Sequence, residues 1–276
     1  MSTFRPESAG KDQVAVLGLP NDEGSSFLRG CALAPPLIRE AFYSDHGNLT
    51  SESGMDLGKQ PRLVDTGDLD LSADMADRIT SGVRQLLDRG AHVLSLGGDH
   101  AVTFPILRAY AAVHGPVNIL HFDAHPDLYD ELGGNRMSHA CPFARIMEEG
   151  LAKRLVQVGI RTMNKHQREQ VARFGVEVIE MRHWQPDPRL SFDGPLYLSL
   201  DLDGMDPAYV PGVSHYEPGG LSPRDILGLI HRIDVPLIGA DVVEYNPTRD
   251  INGMTAVVAA KFMRELAARM IETNPL

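Results

Sequence analysis

The sequence predicts an α/β protein with a mainly parallel sheet of about eight strands, covered by helices on both faces. Three observations carry that expectation: short apolar runs recur along the chain, segments of helical period alternate with them, and nothing divides the 276 residues. Without a linker, repeat or low-complexity stretch, residues 1–276 are expected to form a single domain.

Gln13-Val14-Ala15-Val16-Leu17-Gly18-Leu19-Pro20 reads as the first buried strand, stopped by Pro20 and a polar loop. A short helix is expected from about Pro36 to Phe42, with proline near its start, where a missing N–H does no harm. Residues 44–61 are an excursion of Gly, Ser and Asn before Arg62-Leu63-Val64-Asp65 resumes as a strand. From Ala73 to Asp88, Ile79, Val83, Leu86 and Leu87 fall at helical spacing, and Gly90 stands just beyond. His92 to Leu96 is a strand ending in Gly97-Gly98-Asp99-His100, followed by a helix from Val102 to Val113. Val117 to Phe122 is the next strand, and it runs into Asp123-Ala124-His125-Pro126-Asp127. A loop reaches Ser138 and a helix continues to Glu149. Strands are then expected at Leu155 to Gly159 and Val176 to Ile179, with a helix from Lys165 to Phe174 between them. A seventh strand, Pro195 to Leu200, feeds Asp201-Leu202-Asp203. A helix from Pro223 to Arg232, a strand from Leu237 to Val242 and a helix from Met254 to Ile271 complete the chain.

The balance of 26 Lys+Arg against 37 Asp+Glu gives −11, which argues against a nucleic-acid binder. No apolar run approaches the roughly 20 residues of a membrane span, and Met1 to Lys11 lacks an apolar signal core. Cys31 and Cys141 imply no disulfide framework, although one bridge between them stays open, and a reducing cytoplasm is the expected location.

Parallel sheets collect ligands beyond the carboxyl ends of their strands. Three such ends carry metal-binding side chains: His100, then Asp123, His125 and Asp127, then Asp201 and Asp203. In extended backbone, residues two apart share a side, so Asp123, His125 and Asp127 project together, as do Asp201 and Asp203. Alone, Gly97-Gly98-Asp99-His100 is ordinary as a capped turn and Asp201-Leu202-Asp203 as a solvated loop, whereas the three ligand types of Asp123, His125 and Asp127 on one face rarely serve only solubility; all three at corresponding strand ends point to a metal site. Four carboxylates placed together repel, and divalent cations remove that problem. Four Asp, two neutral His, two M²⁺ ions and one hydroxide sum to about −1, which suits a cationic substrate. Oxygen-rich ligation with one His per metal favours Mn²⁺, with Fe, Co, Ni or Zn as alternatives.

These three motifs, read through Ser199-Leu200-Asp201-Leu202-Asp203-Gly204-Met205-Asp206-Pro207, resemble those of the ureohydrolases, the arginases, agmatinases and their relatives. The chain is most similar to plant-type arginases, through Tyr129, Ser138-His139-Ala140, Pro211-Gly212-Val213-Ser214-His215, Glu217-Pro218-Gly219-Gly220-Leu221 and Ala240-Asp241-Val242-Val243-Glu244-Tyr245-Asn246-Pro247. The resemblance implies a three-layer α/β/α sandwich and a dinuclear Mn²⁺ centre whose bridging hydroxide cleaves a guanidinium to urea and an amine. It implies that His100, Asp123, Asp127 and Asp201 hold one metal and His125, Asp123, Asp201 and Asp203 the other, with Asp127 orienting the hydroxide. His139 then matches the proton shuttle and Glu244 the glutamate that grips the guanidinium. Family members assemble as trimers or hexamers, so a homo-oligomer is expected.

The substrate tail is read less directly. Asn135 and Ser138 match positions that contact an α-carboxylate, which favours arginine, giving urea and ornithine. Yet Gly159-Ile160-Arg161-Thr162-Met163-Asn164 lacks the acidic residue that animal-type arginases carry there for the α-amino group. His215 is a further tail-pocket candidate. Agmatine is the alternative substrate, with other guanidino compounds behind it. A non-catalytic subunit, or a zinc deacetylase of related fold, are the readings from other classes. Asp99, Asp206 and Asp241 read as turn or supporting residues. The remaining histidines, His121 among them, lack ligand spacing and read as structural or exposed.

Overall fold

The computed structural model describes residues 3–276 apart from 187. Eight strands build one sheet: β1 (Val14–Gly18), β2 (Leu63–Asp68), β3 (His92–Leu96), β4 (Val117–Phe122), β5 (Ala152–Ile160), β6 (Glu177–Glu180), β7 (Leu196–Asp201) and β8 (Leu237–Val243). Their order is β2-β1-β3-β8-β7-β4-β5-β6, and every neighbouring pair is parallel. β1, β4, β7 and β8 are buried along their whole length while β6, at one edge, is not, which is why those four read as largely apolar runs.

Among the described residues, seven α-helices cover the faces: α1 (Ala34–Tyr43), α2 (Met75–Asp88), α3 (Thr103–His114), α4 (Pro142–Glu148), α5 (Lys165–Phe174), α6 (Pro223–His231) and α7 (Met254–Thr273). Alternation along the strands divides the core in two. Val14, Val16, Leu120 and Phe122 pack with α1, α6 and α7, whereas Ala15, Leu17, Val117 and Ile119 pack with α2, α3 and α4 on the other face. The result is the three-layer α/β/α sandwich expected.

Most elements fall within a few residues of their expected bounds, with one exception that matters. The helix expected from Ser138 starts only at Pro142, where proline takes its first turn, so His139 lies in the preceding turn and not on a helix. Cys31 and Cys141 are both free and buried, so the bridge left open between them is not made.

One buried ion pair ties a helix to the sheet. Arg39 of α1 reaches Asp68 and Asp65 of β2, with Arg39 and Asp68 almost wholly enclosed. Arg39→Leu would strand Asp68 without its cation, a loss of about 3–5 kcal/mol. The expected readout is a lower denaturation midpoint at unchanged m; an unmoved midpoint would show that the pair contributes nothing.

Candidate metal centre

The strand order does what the sequence could not. β3, β8, β7 and β4 lie side by side, so their carboxyl ends bring His100, Glu244, Asp201/Asp203 and Asp123/His125/Asp127 into one row. Glycine permits the close packing beneath. A Cβ on Gly98 would overlap the Asn21 carbonyl oxygen, and one on Gly204 would sit 2.8 Å from the Asp123 nitrogen. Both motif glycines are therefore steric requirements.

The six expected ligands converge as two groups, His100/Asp123/Asp127/Asp201 and Asp123/His125/Asp203. His100 Nδ1 lies 3.3 Å from Asp123 Oδ2, 3.1 Å from Asp127 Oδ2 and 3.1 Å from Asp201 Oδ2. His125 Nδ1 is 3.3 Å from both Asp123 Oδ1 and Asp203 Oδ2. Asp123 thus turns one oxygen to each group. Asp201 faces the first group with Oδ2, while its Oδ1 accepts the backbone N–H of Asp203 at 2.8 Å. Donors held about 2.1–2.2 Å from a six-coordinate divalent ion stand about 3 Å from one another, close to these spacings.

The electrostatics ask for a cation as well. Burial and the neighbouring Asp123 push Asp127 up to about 6, and burial with adjacent carboxylates raises Asp201 well above the usual range. Burial opposes a charge on His100, yet the three carboxylates around Nδ1 outweigh it and raise its pKa. A metal ion in that place does what the proton otherwise does.

The ring of His100 is held from behind. Ser199 Oγ donates to Asp241 Oδ1 at 2.7 Å, so its oxygen accepts from His100 Nε2, 2.9 Å away. Asp241 also takes the Tyr197 hydroxyl at 2.7 Å and the Thr103 hydroxyl at 3.0 Å. This places the proton on Nε2 and frees Nδ1 as a ligand. Asp241→Asn is expected to weaken metal affinity by about 10–100-fold, as for other groups that orient a ligand histidine. Metal titration reads this; unchanged affinity would break the chain from Asp241 to His100.

His121, set aside on sequence grounds, belongs to the cluster. It is fully buried, its Nε2 lies 2.9 Å from Asp123 Oδ2, and Gln157 Nε2 donates to its Nδ1 at 3.0 Å. Burial outweighs Asp123 and pulls its pKa down to about 4, so the ring is neutral and donates to the shared carboxylate. The signal was present: His121 precedes Asp123 by two and therefore shares its side of the strand.

Beside the metal ligands, His139 Nδ1 meets Glu244 Oε1 at 2.9 Å. Glu244 also accepts the His100 backbone N–H at 2.9 Å and the Cys31 thiol at 3.6 Å. Burial works against both charges, but each partner outweighs it, holding Glu244 near 2 and His139 near 9. On its far side, His139 Nε2 lies 3.2 Å from the Ser26 backbone nitrogen and 2.8 Å from the Ser26 hydroxyl, whose oxygen accepts from the protonated ring. No sequence signal pointed to Ser26 or Cys31, which act across more than a hundred residues. Asp127 (φ 49°) and Glu244 (φ 64°) both adopt left-handed backbone, an unfavourable choice for such residues that fold contacts enforce at the site.

A cavity of about 170 Å³ opens over this floor, with His125, Asp127, His139, His215 and Glu244 among its walls. His215 packs its ring 5.3 Å from that of His139, and its buried Nε2 has no partner among the described residues. Asn135 and Ser138 do not line it: Asn135 Oδ1 accepts the Met137 N–H at 2.8 Å, and Ser138 Oγ donates to the Gly24 carbonyl at 3.2 Å. Arg161 spends all its donors on backbone carbonyls, including those of Asp203, Gly204 and Met205, and so clamps the metal-binding loop. The larger cleft, about 800 Å³ beside α2, holds none of the cluster.

A sequence model described as the arginase family matches residues 12–268. "Arginase 2, chloroplastic/mitochondrial" of Arabidopsis thaliana is 48% identical, with 94% of this chain and 81% of that protein aligned. A guanidino acid hydrolase of Homo sapiens is 35% identical over 91% of this chain and 76% of its own length. Among solved structures, an arginase from Medicago truncatula superimposes with a TM-score of 0.87 at 44% identity, covering 95% of this chain and 88% of that one.

Proposed function

The chain belongs to the arginase family, and we propose that it hydrolyses the guanidinium of L-arginine to urea and ornithine with two Mn²⁺ ions per chain. Family membership makes it a metal-dependent ureohydrolase; arginine, the metal and its count are this reading's additions. The observation that carries it is a pair of ligand groups sharing Asp123, with Glu244 and His139 directly alongside.

In this reading His100, Asp123, Asp127 and Asp201 would hold one ion, and His125, Asp123 and Asp203, with help from Asp201, would hold the other. Two bound divalent cations supply a nucleophile near neutral pH by lowering the pKa of water, and they offset the clustered carboxylates. Asp127, in the first ligand group, would orient that water toward the substrate carbon. Glu244 receives the guanidinium through charge-assisted hydrogen bonds, competing with His139 for the same carboxylate. His139 passes its proton to the departing amine, and exposed Ser26, bonded to Nε2, connects it with solvent. His139→Asn should therefore lower kcat by about 10²–10⁴-fold with metal content intact. An unaltered kcat would remove it from proton transfer.

Residues 1–276 act as one catalytic unit, and the functional form is a trimer or hexamer, which light scattering would test. No described helix is long and apolar enough to cross a membrane, and two free cysteines suit a reducing compartment such as the cytoplasm. The deciding experiment is urea release from arginine and from agmatine by manganese-loaded protein. Higher kcat/KM for agmatine would replace the substrate; no urea from any guanidine would end the enzymatic reading.

A further inference from the structure

We infer that the first turn of α5 reads the far end of the substrate, and that this end carries a carboxylate. The inference rests on the ureohydrolase reading above and specifies its substrate class: guanidines bearing an acid group. Gln167, the third residue of α5, is only 4% exposed and lines the cavity next to Thr162 and Tyr129.

A capping box fixes its amide. Gln167 Oε1 accepts the Asn164 backbone N–H at 3.0 Å, and Asn164 Oδ1 accepts the Gln167 backbone N–H at 2.9 Å. Turned the other way, the amide would set donor against donor, so the oxygen faces the helix start. The Nε2 group is left with no partner among the described residues. Tyr129 is arranged similarly: its oxygen accepts from Asn164 Nδ2 at 2.7 Å, leaving its own proton to donate elsewhere. The Thr162 hydroxyl has no partner among the described residues either.

The positive end of the α5 dipole adds to these donors. The carboxylates lining the cavity (Asp127, Asp201, Asp203 and Glu244) all belong to the metal cluster or to the His139 pair, and none is left over for an ammonium. A carboxylate here finds an amide NH₂, two hydroxyls and a favourable field. An ammonium finds the Gln167 NH₂ donor and a field of its own sign, with only hydroxyl oxygens to accept from it. Asn135 and Ser138, the positions suggested for this task by resemblance, are not among the residues lining the cavity.

Gln167→Glu tests this without removing the cap, since a carboxylate oxygen accepts the Asn164 N–H equally well. With arginine, KM is expected to rise at least about tenfold while kcat changes far less, and the arginine-to-agmatine ratio of kcat/KM should fall at least about tenfold. Gln167→Met, which removes the donor without adding charge, should raise KM for arginine by a smaller factor. A Gln167→Glu ratio equal to that of the unsubstituted protein overturns the assignment while leaving the ureohydrolase reading intact. Preference of the unsubstituted protein for agmatine overturns it as well. Should no guanidine be turned over, the catalytic reading fails by itself, and calorimetric titration with arginine and agmatine then decides. Equal affinities overturn the carboxylate site, and tighter arginine binding that Gln167→Glu abolishes supports it.

Discussion

Asp203→Ala is expected to lose bound metal and urea production together. Asp203 is one of three side chains in the second ligand group, and Asp123, which it shares that group with, also serves the first. Its removal leaves His125 Nδ1 with a single carboxylate neighbour and deprives the Ala124 N–H of its acceptor, 3.2 Å away. The loss in metal affinity should exceed the roughly 10–100-fold attached to residues that merely orient a ligand. Metal content after dialysis and kcat/KM at saturating manganese are the two readouts. Full activity with two ions still bound would refute the ligand assignment. Asp127→Ala separates the roles further, since it touches only the first group and, in the proposed mechanism, also removes the carboxylate that would orient the attacking water.

Glu244→Gln should keep both metals and lose most of the productive binding of a guanidinium. Glu244 is not among the clustered ligands, so metal content is expected to stand. Two charge-assisted hydrogen bonds at about 1.5–3 kcal/mol each imply a fall in kcat/KM of about 10²–10⁴-fold. The same substitution takes from His139 the anion that raises its pKa to about 9, so the pH profile of kcat should move downward too. Unaltered KM, kcat and pH profile would show that Glu244 does not hold the substrate. An amide oxygen at position 244 still accepts the His100 backbone N–H, which keeps the variant folded well enough to measure.

Much of this is legible in the chain itself. Parallel strands buried on both faces are apolar throughout, so β1, β3, β4, β7 and β8 announce themselves as runs, and proline or glycine marks several of their ends. The period of two places Asp123 with His125 and Asp127, and Asp201 with Asp203. The same rule covers His121, but a histidine inside an apolar strand looks like a packed core residue until its carboxylate partner is seen. The later start of α4 has a local cause: Ser138 and Asn135 cap turns of their own, and only Pro142 fits the first turn of the helix.

The layers, the strand ends that carry ligands and the family resemblance are all legible along the chain, because each depends on spacing along one element or one short motif. Tertiary structure alone decided that β8 lies between β3 and β7, which sets Glu244 beside His100 although 144 positions separate them. It alone brought Ser26 to His139, set Ser199 and Asp241 behind His100, and placed the amide of Gln167 at the cavity wall. Spacing reports which side of an element a residue takes. Which element lies opposite is settled only when the whole sheet closes, since that choice depends on packing between segments far apart in the chain.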